Sequence, residues 1–307
     1  MDDAPRMEAP IVVGLGELLW DCFPDKNRPG GAPANVAFQS QQLGLRGAVC
    51  SRVGRDERGD ELVRFLAAHG LATLYVQRDE EHQTSYVTIE FDASGEPQYS
   101  IHENVAWDFL QFDATAEELM RGARAVCFGT LAQRNSVACD MIHQCIAATR
   151  PDCRIVYDVN LREPWYDVQV IERSLRAAHV VKLNVREVDV VSHLLKLDAP
   201  RPEPFAERMF EHFDVDLVCV TRSAEGCWLR DRQRTAQQPG ISIERADPVG
   251  AGDAFTSALI YTLIQRWPLH TAAEFANHVA ARVASRAGAM PDLGKELIAL
   301  AERMKPE

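Results

Sequence analysis

The chain has 307 residues, enough for one large α/β domain or about two domains of ordinary size. Apolar residues make up 46% and charged residues 25%, a globular mixture that excludes a disordered, collagen-like or coiled-coil protein. With 33 basic against 45 acidic residues, the formal net charge is −12, and the chain contains no run of basic residues. We therefore expect no binding of nucleic acid, and any anionic ligand must be held by a preorganised site.

The cysteines, the histidines and the N-terminus favour an intracellular protein without a structural zinc site. The eight cysteines are scattered with no C-x-x-C pair, and the nine histidines form no H-E-x-x-H motif. This pattern predicts buried, reduced cysteines rather than a disulfide framework or a zinc site. No apolar run approaches about 18 residues, so the sequence predicts neither a signal peptide nor a membrane span. We therefore expect a cytoplasmic location.

Short β-branched segments alternate with amphipathic helical segments along most of the chain. The predicted strands are 11–13, 47–53, 125–128, 154–158, 180–183 and 217–221. The predicted helices are 34–43, 56–69, 137–149, 168–177 and 185–195. Strands separated by helices indicate an α/β fold with a mainly parallel sheet and helices on both faces. Ligands of such folds bind beyond the carboxyl ends of the strands.

Two regions depart from this alternation. Residues 84–91 and 98–102 flank the turn-forming segment 92–97, a pattern that predicts an antiparallel hairpin outside the parallel sheet. Such a hairpin is either a lid or an edge hairpin. The proline-rich segment 199–204 predicts a surface loop.

The strongest local motif is the segment 247–255, with the sequence Asp-Pro-Val-Gly-Ala-Gly-Asp-Ala-Phe. Its small residues Gly250, Ala251 and Gly252 open an apolar helix that is predicted to continue to about residue 265. A helix N-terminus offers unpaired N–H groups and partial positive charge, which favours an anion site. Asp253 is then either a first-turn acid that the helix dipole favours or a carboxylate that accepts a proton from an attacking hydroxyl.

A second motif, Gly30-Gly31-Ala32-Pro33-Ala34-Asn35, lies just before another predicted helix. It is either a plain loop or a segment that allows close approach of a ligand, with Asn35 in the first helical turn. Asp21 follows the first strand and the segment 14–19, which contains G-x-G but no G-x-G-x-x-G. A Walker A motif is absent as well, so any nucleotide must be bound without the two common phosphate loops.

Two further motifs follow predicted strands. Residues 158–162, Asp-Val-Asn-Leu-Arg, form either an Asx-type turn with a surface arginine or part of a ligand crevice. Asn184 and Glu187 have the spacing of a helix capping box, and they could equally organise water around Mg²⁺, which prefers oxygen ligands.

In their order along the chain, Gly-Gly-x-x-x-Asn at 30–35, Asn-x-x-Glu at 184–187 and Asp-x-x-Gly-Ala-Gly-Asp at 247–253 resemble the PfkB or ribokinase-like family of carbohydrate kinases. The resemblance spans essentially the whole chain, and the segments 30–37, 128–132 and 158–162 look most like fructokinases. It implies a ribokinase-like three-layer α/β sandwich with a mainly parallel central sheet and a small β-lid. Residues 1–307 would form one kinase domain, with the lid built from about 17–30 and 82–105.

The resemblance also implies a reaction, in which the γ-phosphoryl group of MgATP is transferred to a sugar hydroxyl. Asp253 would be the catalytic base, and the Gly250–Gly252 backbone would form the anion hole. The residues implied to bind the sugar are Asp21, Gly30, Gly31, Asn35 and Arg162. Those implied on the nucleotide side are Asn184, Thr221, Gly226 and Asn277, with Glu187 reaching Mg²⁺ through water.

ATP and Mg²⁺ are thus the implied cosubstrate and metal, and the expected partners are a small sugar and a second copy of the chain, joined through the lid. Many relatives also use a monovalent cation held by backbone oxygens near the anion hole, so a K⁺ requirement stays open. Pro248 stands where the family commonly has Thr, and any hydroxyl role there is lost.

The sugar is most simply D-fructose, but other functions compete. Within the same fold, 2-keto-3-deoxygluconate, ribose or a nucleoside are alternative acceptors, and Asp21, Gln133, Arg134 and Arg162 are expected to decide among them. A non-catalytic sugar or nucleotide sensor is the rival from another class. A nicotinamide oxidoreductase is disfavoured because the dinucleotide fingerprint is missing.

Overall fold

The computed structural model describes residues 9–91, 97–243 and 247–306. The strands are β1 (Ile11–Leu15), β2 (Leu19–Cys22), β3 (Asn27–Gly30), β4 (Arg46–Gly54), β5 (Val76–Asp79), β6 (Tyr86–Phe91), β7 (Pro97–Ile101), β8 (Ala123–Gly129), β9 (Arg154–Asp158), β10 (Val180–Asn184), β11 (Leu217–Thr221), β12 (Cys227–Asp231) and β13 (Thr235–Gln238). The helices are α1 (Ala32–Gln42), α2 (Glu57–Ala68), α3 (Ala114–Gly122), α4 (Ser136–Ala147), α5 (Val168–Ala177), α6 (Val185–Leu194), α7 (Pro202–His212), α8 (Ala251–Ile264), α9 (Leu269–Ala284) and α10 (Gly294–Met304).

Nine strands form the central sheet, in the order β13-β12-β11-β10-β9-β8-β1-β4-β5. The pairings from β11 to β5 are parallel, and β12 and β13 extend the sheet in antiparallel fashion. Every strand predicted for the parallel sheet lies in this sheet, which confirms the predicted α/β class.

Apolar residues on both faces of the central sheet build the core under each helical layer. Neighbouring residues of β1 illustrate this, since Val13 belongs to an apolar cluster with residues of α4, α5, α6 and α7, and Val12 belongs to another with residues of α8, α9 and α10. Residues of α1, α2 and β4 form a third cluster. Because side chains alternate along a strand, a strand buried on both sides is apolar throughout. The result is three layers, helices on either side of one sheet.

A second, four-stranded sheet has the order β3-β2-β6-β7. We name it the small sheet. Its β6 and β7 pair in antiparallel register, which confirms the predicted hairpin, while turn residues 92–96 lie outside the described residues. Leu19, Val87 and Ile89 form its own apolar cluster.

The prediction of a loop over 199–204 is wrong in part, because α7 begins at Pro202. Proline is well suited to the first helical turn, where its fixed φ is helical and its missing N–H has no partner to lose. Among the described residues, no helix is long and apolar enough to cross a membrane.

Candidate active site

The candidate site lies beyond the carboxyl ends of the parallel strands, where the N-termini of α1 and α8 meet. Asn35 in the first turn of α1 donates a hydrogen bond from Nδ2 to Oδ2 of Asp253 in the first turn of α8, at 2.7 Å. These residues are 218 positions apart in the chain. The fold therefore joins the second and the first of the sequence motifs into one site.

Helix α8 begins at a tightly packed glycine. Gly250 precedes the helix with φ at 76°, in the left-handed region, and a Cβ there would lie 2.5 Å from the Cα of Ala289. The first helical hydrogen bond of α8 runs from the Ala254 N–H to the Gly250 carbonyl, at 2.9 Å. The N–H groups of Gly252 and Asp253 come before that bond, in the first turn, where helices leave their donors free for an anion.

A buried cation lies directly beneath this turn. Nζ of Lys182 on β10 contacts both carboxylate oxygens of Asp158 on β9, each at 3.0 Å, and Thr256 of α8 donates to the same carboxylate at 2.8 Å. A Cβ on Gly252 would be only 3.2 Å from Nζ. Burial opposes the charge of Lys182, but the Asp158 carboxylate raises the pKa of Lys182 above its usual range. Lys182 therefore adds fixed positive charge below the start of α8.

Three carboxyl groups of the site have raised pKa values. Burial, together with the negative charge of Asp158, raises the pKa of Asp253 to about 6, although Lys182 and the hydrogen bond from Asn35 act in the other direction. Burial likewise raises the pKa of Glu17 to about 7 and that of Asp21 to about 6.

Arg162 faces this group of carboxyls. Its positive charge lowers the pKa of each of Glu17, Asp21 and Asp253, although its side chain is exposed to solvent. Strongly perturbed carboxyls gathered in one place are typical of functional sites.

Glycines allow these elements to approach each other. Gly31 caps α1 with φ at 108°, and a Cβ there would lie 2.4 Å from the Glu17 carbonyl oxygen. A Cβ on Gly30 would lie 2.4 Å from Oδ2 of Asp21. Gly30 and Gly31 thus act through close packing and leave the polar contacts to their neighbours.

Asn184 and Glu187 form the capping box that their spacing predicts. Oδ1 of Asn184 accepts from the Glu187 N–H at 3.0 Å, and Oε2 of Glu187 accepts from the Asn184 N–H at 2.8 Å. The other carboxylate oxygen of Glu187 accepts from the Leu161 N–H at 2.8 Å, so Glu187 also fixes the segment before Arg162. Burial raises the pKa of Glu187.

The remaining nucleotide-side candidates lie further along the sheet edge. Thr221 ends β11 and donates from Oγ1 to the Leu183 carbonyl at 3.3 Å. Gly226 has φ at 97°, and a Cβ there would lie 2.0 Å from the Gln238 carbonyl oxygen. Asn277 on α9 donates to the Pro239 carbonyl at 3.1 Å.

Two residues expected to select the acceptor are committed elsewhere. The side chain of Arg134 is buried and donates two hydrogen bonds of 2.8 Å to Asp108. Gln133 is buried and donates to the Gly129 carbonyl at 2.8 Å. Sequence reasoning also gave no role to Glu17, Lys182 or Thr256. The available signal was a charged residue in an otherwise apolar strand, Lys182 between Val181 and Leu183.

Comparison with known proteins finds sugar kinases that are similar to this chain over nearly its whole length. Fructokinase-2 of Oryza sativa is 27% identical over 317 residues, which cover 94% of this chain and 93% of that protein. The crystal structure of a Xylella fastidiosa fructokinase with bound ATP is 22% identical, has a TM-score of 0.85 and covers 96% of this chain and 99% of that chain. A 2-dehydro-3-deoxygluconokinase of Thermotoga maritima is 20% identical, with a TM-score of 0.82, 95% of this chain and 99% of that chain covered.

The structural neighbours share the ribokinase-like fold predicted from the sequence. The match to a family model also extends over most of the chain. A family model described as "pfkB family carbohydrate kinase" matches residues 13–295, from β1 into α10. The chain therefore belongs to the PfkB family of carbohydrate kinases.

Proposed function

We propose that this kinase transfers the γ-phosphoryl group of MgATP to a hydroxyl of a neutral sugar, D-fructose being the acceptor that fits best. The observation that carries the proposal is the Asp253 carboxylate, held by Asn35 at 2.7 Å beside the start of α8. Asn35 occupies Oδ2 of Asp253, so Oδ1 is the oxygen positioned to accept the proton of the attacking hydroxyl. A pKa of about 6 keeps most of this carboxylate ionised at neutral pH and close to the range that general bases use.

The donor phosphates belong at the N-terminus of α8. The first-turn N–H groups of Gly252 and Asp253, with the Lys182 ammonium beneath them, supply positive potential where charge builds up on the transferring group. Thr221, Gly226 and Asn277 are proposed to line the path toward the base and ribose of ATP.

Mg²⁺ fits this donor set as a substrate-bound ion. In the described part of the chain, no group of three or more His, Cys, Asp or Glu side chains could hold a metal, and Mg²⁺ is usually held by one or two carboxylates, waters and substrate phosphates. Each carboxylate oxygen of Glu187 accepts one backbone N–H and keeps capacity for a metal-bound water. When bound, Mg²⁺ would neutralise charge on the phosphates.

The acceptor side is acidic, and this favours a neutral sugar over a sugar acid. Glu17, Asp21 and Asp253 place three carboxyls near Arg162, whose charge acts on all three. A carboxylated acceptor such as 2-keto-3-deoxygluconate would add a further negative charge there. Asp21, Asn35 and Arg162 are therefore proposed to bind the hydroxyls of fructose. Ribose and nucleosides remain alternatives for the assay to separate.

The small sheet is proposed to act as the lid of a single kinase domain, residues 1–307, with the lid drawn from about 17–30 and 82–105. It carries Asp21 on β2, and as a lid it would exclude water, which would otherwise compete as phosphoryl acceptor. We also propose that two chains pair through this sheet in the cytoplasm, which light scattering of the purified protein would test.

The test is ADP release with MgATP over fructose, glucose, ribose, 2-keto-3-deoxygluconate, adenosine and no sugar. Asp253→Ala is compared with Asp189→Ala, which removes an exposed carboxylate on α6. We expect turnover with fructose and a loss of roughly 10²- to 10⁴-fold in kcat for Asp253→Ala, with ATP binding kept.

Each other outcome changes a defined part of the proposal. Turnover with another acceptor keeps the mechanism and moves the specificity. Near-normal turnover of Asp253→Ala would refute the assignment of the base. ATP binding without turnover on any acceptor would favour a sensor.

A further inference from the structure

An arginine of the small sheet contacts the loop that leads into α8. Nη1 of Arg28 on β3 lies 3.0 Å from Oδ2 of Asp247, and the two side chains are 22% and 27% exposed. They are 219 positions apart in the chain. This is a direct polar link between the small sheet and the segment that precedes the Gly250–Gly252 backbone.

Asp247 organises that loop from within. Its Oδ1 accepts from the Val249 N–H at 3.2 Å, its Oδ2 accepts from the Gly288 N–H at 2.9 Å, and its own N–H donates to the Ala284 carbonyl at 2.8 Å. Burial opposes its charge, but the Gly288 N–H and the Arg28 guanidinium keep the pKa of Asp247 below its usual range. Asp247 is thus an anion beside the proposed phosphate site, and Arg28 is the cation that balances it.

The contacts continue from Arg28 to the start of α8. A Cβ on Gly288 would lie 3.4 Å from Nη1 of Arg28, and the next residue, Ala289, packs against Gly250. The carbonyl of Ala289 also accepts from Nε2 of Gln39 at 2.9 Å, on the same helix as Asn35. Arg28 therefore touches the turn that supports both the proposed anion hole and the helix holding the base.

Arg28 also faces the acceptor side. In the β2–β3 pairing it lies opposite Asp21, and its positive charge lowers the pKa of Asp21. The guanidinium of Arg28 thereby lies between Asp21, which is proposed to bind the sugar, and the loop before the anion hole.

We propose that Arg28 is a positioning residue that couples the small sheet to the anion-hole loop by supplying the counter-charge of Asp247. The proposal rests on the proposed function, because it assigns ATP phosphates to the N-terminus of α8. Without the guanidinium, Asp247 would be an unbalanced negative charge beside those phosphates, and the small sheet would lose its polar contact with the loop.

The test compares Arg28→Ala, Asp247→Asn and the double variant with Arg154→Ala. Arg154, at the start of β9 and away from the site, forms an ion pair of similar length with Asp216, at 3.1 Å. Assays are run without alkali cations, then with added guanidinium or K⁺. For a half-buried pair we expect Arg28→Ala to lower kcat/KM for ATP about tenfold, with Arg154→Ala within about twofold of the wild type.

Two further results distinguish coupling from simple loss of structure. Free guanidinium or K⁺ should raise the activity of Arg28→Ala by a larger factor than that of the wild type, since only the variant has an uncompensated Asp247. The double variant should lose little more than Asp247→Asn alone, because both changes remove the same interaction.

ATP affinity by calorimetry without sugar separates this inference from the proposed function. Weaker ATP binding by Arg28→Ala supports the coupling even if no acceptor of the panel is turned over. Wild-type ATP affinity and kcat in Arg28→Ala, or additive losses in the double variant with no response to guanidinium or K⁺, would overturn it.

Discussion

Replacing Glu17 with Gln should stabilise the protein at alkaline pH. The side chain of Glu17 is 3% exposed, its Oε1 accepts from the Ala32 N–H at 3.3 Å, and its Oε2 is buried without a hydrogen-bond partner. Burial raises its pKa from 4.5 to about 7, so the folded state binds the proton more tightly than the unfolded chain. The stability that this proton confers is complete below pH 4.5 and is lost as the pH rises through 7.

The magnitude follows from the shift of the pKa. A rise from 4.5 to about 7 corresponds to about 3 kcal/mol of unfolding free energy at alkaline pH. Gln keeps the acceptor for Ala32 and cannot ionise, so Glu17→Gln should recover most of that amount at pH 8 and progressively less toward pH 5. In a chain of this size the gain is a rise of about 5 °C in Tm.

The assay is thermal unfolding of the wild type and Glu17→Gln across this pH range. Glu61→Gln, which changes an exposed carboxyl on α2, is the matched control and should give no pH-dependent difference. A difference in Tm that is constant with pH, or a variant less stable than the wild type at pH 8, would show that Glu17 is not an ionising, desolvated carboxyl.

Three other changes test the chemistry and packing of the site. In a pH–rate profile, kcat/KM should rise about tenfold per pH unit up to about 6 and then level off, because Asp253 must be ionised to act as base; a flat profile across that range would contradict this. Lys182→Met should lower the unfolding free energy in urea by about 3–5 kcal/mol, since it leaves the Asp158 carboxylate buried without its cation; a loss below about 1 kcal/mol would mean that water reaches this carboxylate. Gly250→Ala should abolish most turnover and lower Tm further than Gly44→Ala, because both glycines have positive φ but only Gly250 is packed against backbone; equal effects would argue against close packing at α8.

Much of the fold follows from local sequence pattern. Strands such as Leu217–Thr221 are apolar at every position but the last, which is typical of a parallel strand covered on both sides, and helices with an apolar stripe fill the intervals between them. The boundary at Pro202 was harder to predict, since a proline-rich segment is compatible with a loop and with the first turn of a helix. The short strands β2 and β3 of the small sheet, the first of which contains Asp21, have too few residues to show a clear period.

The candidate site was predictable one motif at a time. Asn184 and Glu187 form the capping box that their spacing indicates, because a three-residue separation at a helix start fixes the geometry locally. Lys182 was not assigned, because a lysine in an apolar strand is explained only by its partner Asp158 on the neighbouring strand.

The sequence by itself determined the order of strands and helices, the glycines at the start of α8 and the local caps, since these depend on residues a few positions apart. Only the tertiary structure decided which side chains meet. The contacts of Asn35 with Asp253 and of Arg28 with Asp247 join residues 218 and 219 positions apart. The raised pKa of Glu17 also depends on the tertiary structure. Its burial and the charges of Arg162 and Asp253 act on it only after the parallel strands have brought their carboxyl ends to one edge.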